Sequence, residues 1–205
     1  MIYEGNLMDV IRYKFAGYIV LVILAITCCI KAMVTGESVD TIKFISSSIQ
    51  LSMTVITILT VCFCEYLWKC KCFRGWLVLI PDLNGSWSGT IHSDWIDKET
   101  NIRVNSISAE LTIKQTLFKV SCIMKTNEMK SHSVNAGWTV DSANQMCQLV
   151  YIYISEPKQN IQSRSPMHYG TVMLDFCKSD DGDALSGNYW TGRKTSGFIS
   201  MKKCS

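Results

Sequence analysis

Tyr189, Thr191, Arg193 and Thr195 alternate along GNYWTGRKTSGFISMKK, the stretch from Gly187 to Lys203. If a strand through Tyr189 continues, all four point to the same side. That row offers a stacking plane, two hydroxyls and a guanidinium. Such a set suits an anionic, ring-bearing ligand, because bases stack on aromatic faces and Arg makes charge-assisted hydrogen bonds to phosphates. A second aromatic row, Tyr151 and Tyr153, stands in QLVYIYIS opposite Val150, Ile152 and Ile154. The competing reading is that TGRKTS is only the turn of a last hairpin, with Arg193 and Lys194 in solvent.

Other chemistries find less support. An enzyme would need a nucleophile beside a base, and neither GxSxG nor HExxH occurs. The ten cysteines include no CxxC pair, and His92, His132 and His168 are isolated, so no metal-ligand spacing appears. Free thiols in a reducing compartment are the simpler expectation. A formal net charge of +3 is too mild for a surface that coats DNA or RNA. The expectation is a binding protein, with no cofactor and no metal.

The elements that must carry the two rows follow from period-two alternation. Strands are expected at Ser86–His92, Ile107–Thr116, Leu117–Lys125, Lys130–Val140, Cys147–Ser155, His168–Lys178, Ala184–Thr191 and Ser196–Cys204. Phe118, Val120, Cys122 and Met124 should share one face, as should Val134, Ala136, Trp138 and Val140. Turn residues separate the strands at DSANQ, EPKQN, KSDDGD and TGRKTS. Eight short strands in series read as an antiparallel meander. Closure into a barrel removes its edges and leaves room for side chains or one small ligand. An open sandwich of the same strands is the alternative.

Before these strands the chain is apolar. Phe15–Ile30 holds sixteen residues without a charge, and Phe44–Cys64 holds twenty-one. A bilayer core needs about 20 residues of helix. The second stretch fits directly, and the first fits if Lys31 snorkels. Two transmembrane helices are therefore expected, at about 13–34 and 43–66, in an antiparallel hairpin. A signal peptide is the alternative for the first. Arg12 and Lys14 before the first span, and Lys69, Lys71 and Arg74 after the second, place both termini in the cytoplasm. In the loop between the spans, Glu37 and Asp40 offset Lys31 and Lys43. The domain division is 1–78 for the membrane segment and 79–205 for the cytoplasmic barrel, whose 127 residues carry 13 Lys+Arg and 12 Asp+Glu. Ser46, Gln50, Thr54 and Thr57 fall near one face of the second span, with Ser48 and Ser52 beside it. That face could pack on the hairpin partner or associate between protomers.

Two motifs add a resemblance. Gly85-x-Trp87 in NGSWSG is the pattern with which lipocalin-like barrels begin. There the Trp closes one end, under a basic residue from the last strands, for which Arg193 is a candidate. Two spans, then PDLNGSWSG, then GNYWTGRKTSG resemble the bacterial two-transmembrane, β-strand-rich effectors of cyclic-oligonucleotide anti-phage signalling (CBASS), the CD-NTase-associated β-barrel effectors. The resemblance covers nearly the whole chain. It implies a membrane-anchored all-β protein: two N-terminal transmembrane helices and an eight-stranded antiparallel lipocalin-like minimal β-barrel. It implies a multi-pass protein of the cell inner membrane that binds a cyclic dinucleotide made by a cognate nucleotidyltransferase, forms a homo-oligomer and disrupts the bilayer, so that infection aborts. The expected cyclic-nucleotide-binding residues are Trp87, Tyr151, Tyr153, Tyr189, Thr191, Arg193 and Thr195. The expected oligomerisation residues in the membrane are Ser46, Gln50, Thr54 and Thr57. The alternatives are a structural plug made by Trp87 and Arg193, and a barrel that binds a lipid or another apolar ligand.

Overall fold

The computed structural model describes residues 10–35, 42–96, 106–141, 146–159, 162, 165–179 and 182–204. The loop 36–41 with Glu37 and Asp40, and parts of the turns at 142–145, 160–161 and 180–181, lie outside the described residues. Two compact units are present, Val10–Leu79 and one that contains Ile80–Ser205.

The first unit holds α1 (Tyr13–Thr35) and α2 (Ile42–Glu65). Both are long and apolar enough to cross a membrane. Their 23 and 24 residues span about 35 Å at helical rise, against a hydrocarbon core of about 30 Å. Thr27 Oγ1 meets Ser52 Oγ at 2.6 Å, and Lys31 Nζ bonds Ser47 Oγ. The α2 partner moves back as the α1 residue moves forward, so the pair is antiparallel. Lys31 also lies 4.8 Å from the centre of the Phe44 ring. Its charge is thus held by the neighbouring helix as well as by any snorkelling. Ser48 and Ser52 are buried in this contact. Most other apolar side chains stay exposed, among them Leu21, Ile45 and Ile58, a surface that water disfavours and lipid accepts. Beyond α2, Phe15 packs edge-on against Trp76, and Phe63 against Phe73. Aromatic rings gathered at the ends of apolar helices suit a membrane–water boundary.

The second unit is a closed antiparallel barrel in sequential order. Its strands are β1 (Gly85–Ser93), β2 (Ile107–Gln115), β3 (Val120–Thr126), β4 (Met129–Asp141), β5 (Met146–Pro157), β6 (His168–Ser179), β7 (Gly182–Thr191) and β8 (Ser196–Lys203). β8 pairs back onto β1, with Met201 opposite Gly89. Alternation puts one residue in two inside: Ala109, Leu111 and Ile113 on β2, Leu149, Tyr151 and Tyr153 on β5, and Ile199 and Met201 on β8. Each fully buried Leu contributes roughly 1.5–3 kcal/mol.

Two expectations of face fail locally. Phe118 is 46% exposed, because the chain turns at 116–119 and β3 begins only at Val120. Val134 is 60% exposed, because a β-bulge between Ser133 and Asn135 inserts one residue and shifts the inward set to Ala136, Trp138 and Val140. The Ser133 hydroxyl accepts the Cys122 N–H there at 2.9 Å, where the β3–β4 ladder has ended.

One end of the barrel is plugged. Trp87 and Leu83 have no exposed surface, and the Trp87 indole N–H donates to the Leu83 carbonyl at 3.0 Å. Lys203 Nζ sits 5.4 Å over the Trp87 ring and 4.0 Å from the Asp183 carboxylate. The basic residue over the tryptophan is therefore Lys203 rather than Arg193. Strand register is the reason: Lys203 pairs directly with Trp87. Arg193 lies in the β7–β8 turn, beyond Ser196, whose hydroxyl and N–H bond Asp94 past the far end of β1. Gln115 completes the plug. Its side chain accepts from Leu83 N–H at 2.8 Å and donates to the Pro81 carbonyl at 3.0 Å, which fastens the entering chain to β2.

Candidate functional site

At the opposite end the barrel encloses a cavity of about 480 Å³, within the range of small-ligand sites. Along β1 the run from Trp87 to Ser93, which lines the cavity, is about 20 Å. Six of the seven expected residues line it: Tyr151, Tyr153, Tyr189, Thr191, Arg193 and Thr195. Trp87 does not; its side chain is spent on the plug.

The tyrosines come from β5 and β7, with β6 between them, and each of two has a glycine as cross-strand partner. Tyr153 faces Gly170, and Tyr189 faces Gly197. A Cβ at either glycine would overlap the phenol ring opposite. The glycines thus make the space in which the rings lie. Tyr151 and Tyr153 are tilted neighbours with centroids 6.2 Å apart. Tyr189 shares a hydrogen bond with Ser93. Burial raises the Tyr153 phenol to about 12 and pushes Tyr151 and Tyr189 up as well, so all three are neutral donors at ordinary pH. Tyr151 Oη is enclosed, with no hydrogen-bond partner among the described residues. Burial likewise lifts the Cys122 thiol to about 12, which makes it unreactive.

Arg193 belongs to both the turn and the cavity lining. TGRKTS is the β7–β8 turn: Thr191 N–H donates to the Thr195 carbonyl at 2.9 Å, and Lys194 takes a left-handed conformation at φ 62°. The Thr191 and Thr195 hydroxyls meet at 2.6 Å and clamp the turn. Arg193 extends from it over the mouth and donates to Ser165 Oγ at 2.7 Å. Burial lowers the Arg193 pKa, yet a guanidinium remains charged.

Sequence reasoning missed His168, Ser165 and Glu128, which share this lining. His168 is 8% exposed and opens β6 opposite Ser155. Its position two residues before Gly170, on the same inward set, was the available signal. Val172 faces Tyr151 across the β5–β6 ladder, and Met124 and Ile199 add apolar surface to the lining. At the open end hydroxyls, imidazole and guanidinium share the lining with Trp95, Ile107 and Met129.

The face of α2 can be placed too. Ser46, Gln50, Thr54 and Thr57 are exposed, whereas the buried serines of the hairpin are Ser48 and Ser52. The Thr54 and Thr57 hydroxyls donate to carbonyls one turn back. The hairpin partner does not cover this face.

Residues 78–203 match the protein family described as Cap15, cyclic dinucleotide receptor domain. Among curated proteins, the CD-NTase-associated protein 15 of Staphylococcus schleiferi is 28% identical over 155 residues, covering 76% of this chain and 78% of that one.

Proposed function

Because the chain belongs to the Cap15 cyclic dinucleotide receptor family, we propose that the barrel cavity binds a cyclic dinucleotide and that the two helices turn this binding into membrane damage. The observation that carries the reading is Arg193, held by the β7–β8 turn over a cavity lined by three tyrosines. Tyrosine faces can stack bases, and the guanidinium and hydroxyls can hold phosphate oxygens. A lipid would ask for an all-apolar interior, and this lining carries three tyrosines, two threonines and a guanidinium.

Binding then drives homo-oligomerisation. The Ser46–Gln50–Thr54–Thr57 face of α2 supports this step, because polar groups exposed to lipid gain by meeting one another. Assembled helices disrupt the inner membrane from a protein whose termini and barrel are cytoplasmic, and the infected cell is lost. The protein acts as receptor and effector; a cognate nucleotidyltransferase supplies the ligand.

The test uses the full chain in sealed vesicles loaded with a fluorescent dye. Cyclic di-GMP, cyclic di-AMP, cyclic GMP–AMP and cyclic UMP–AMP are added in turn. One of them should release the dye, and Gln50→Leu should slow that release. A folded, inserted protein that leaks with none of the four overturns the reading. Unaltered leakage from Gln50→Leu removes that face from the mechanism.

A further inference from the structure

The cavity presents one guanidinium, and a cyclic dinucleotide carries two phosphate charges. Among the described residues the other charged side chain on the lining is Glu128, of the wrong sign. His168 is the titratable group that can change this balance. Its Nδ1 lies 3.2 Å from the Pro166 carbonyl oxygen. A carbonyl only accepts, so Nδ1 carries the proton and Nε2 holds the lone pair. Nε2 is then the ring's remaining polar atom in the cavity that His168 lines.

The groups around the imidazole are few. Tyr153 on β5 touches it edge-on with centroids 6.4 Å apart, and Ser155 pairs with it on the same strand. Ser165 lies in the preceding loop, Glu128 in the β3–β4 turn, and Arg193 in the β7–β8 turn. Burial first, then the Arg193 charge, hold the His168 pKa below its ordinary value; the Pro166 hydrogen bond opposes them. Without ligand the ring is neutral near pH 7. A phosphate oxygen cannot donate to a lone pair. An anion placed here would also cancel the effect of Arg193.

Resting on the function proposed above, we infer that His168 is a phosphate-binding residue that takes a proton from solvent onto Nε2 as the cyclic dinucleotide enters, and so supplies the second positive charge of the site. The neutral ring becomes a cation that donates from both nitrogens, Nδ1–H to Pro166 and Nε2–H to the phosphate. No other bond changes. Binding and proton uptake are then one linked event, and affinity falls as pH rises, by up to tenfold per unit between the free-state and bound-state pKa values of His168.

The test is calorimetric titration of the full chain in detergent micelles with the four cyclic dinucleotides named above. Two buffers of different ionisation enthalpy are used, at several values between pH 6 and 8.5. For the member that binds, affinity should weaken with rising pH, and protons should be taken up. His168→Gln should bind with little dependence on pH and no uptake. A pH-independent affinity with no uptake in the unaltered protein overturns the inference, and so does uptake that persists in His168→Gln. Affinity that improves with rising pH also overturns it, because Nε2 would then be accepting from a base N–H. If none of the four binds a folded protein at any pH, the receptor reading falls, and this inference with it.

Discussion

Replacing Gln115 by Leu should weaken the barrel by more than an ordinary core substitution of equal volume. Gln115 is 5% exposed and satisfies a buried backbone N–H, that of Leu83 at 2.8 Å, and a partly buried carbonyl, that of Pro81 at 3.0 Å. Leucine keeps the volume and removes both partners. A buried polar group left unpaired costs about 1–3 kcal/mol. One such group, with a second that solvent partly reaches, puts the loss at about 2 kcal/mol, which lowers the melting temperature of a barrel this size by roughly 8 °C. Gln115→Glu should cost at least as much near pH 7, because a buried carboxylate facing the Pro81 carbonyl must lose its hydration or bind a proton. The assay is near-ultraviolet circular dichroism of the full chain in detergent, followed against temperature and urea. A loss below about 1 kcal/mol for Gln115→Leu would refute the reasoning, since water would then be satisfying both backbone groups in place of the amide.

Tyr151→Phe should act in the opposite direction. Its hydroxyl has no partner among the described residues, so removing it should raise the urea midpoint; a clear drop would show that the phenol is bonded. Arg193→Ala should weaken cyclic dinucleotide binding by about 10- to 100-fold, the value of a charge-assisted hydrogen bond, while the melting curve stays put because the residue is exposed. Unchanged affinity would remove Arg193 from the site. Stability without ligand should respond to pH through His168. Its folded pKa lies below the unfolded value of about 6.5, so the unfolded chain binds the extra proton and the barrel weakens as pH falls through that value. Urea midpoints at pH 7.5 and 5.5 measure the slope, which His168→Gln should flatten.

Most of the barrel was legible because each strand has one wet face and one dry face, which prints alternation into the sequence. The pattern broke where the backbone departs from a regular ladder. The bulge at Ser133 and Asn135 turned Val134 outward, and the turn at 116–119 took Phe118 out of its strand. Neither carries a local signal as strong as Gly or Pro. The Tyr and Arg rows were legible for the same reason as the strands, and Tyr189, Thr191, Arg193 and Thr195 do share a cavity even though the strand ends at Thr191. Arg193 was one candidate for the basic residue over Trp87, yet the two stand at opposite ends. Cross-barrel register decides that pairing, and register is a property of two strands, not of one segment. In α2, spacing marked Ser46, Gln50, Thr54 and Thr57 as one polar face and Ser48 and Ser52 as its neighbour. Only the packed hairpin shows which of the two the partner helix covers.

The most direct measurement of the central claim is thermal unfolding of the full chain with and without each cyclic dinucleotide, read from the near-ultraviolet signal of the barrel. Ligand at 100 times its dissociation constant stabilises the folded state by about 2.7 kcal/mol. The melting temperature should rise by roughly 10 °C with at least one of them, and by about half that or less in Arg193→Ala at the same ligand concentration. A cooperative transition that none of them moves would contradict the claim.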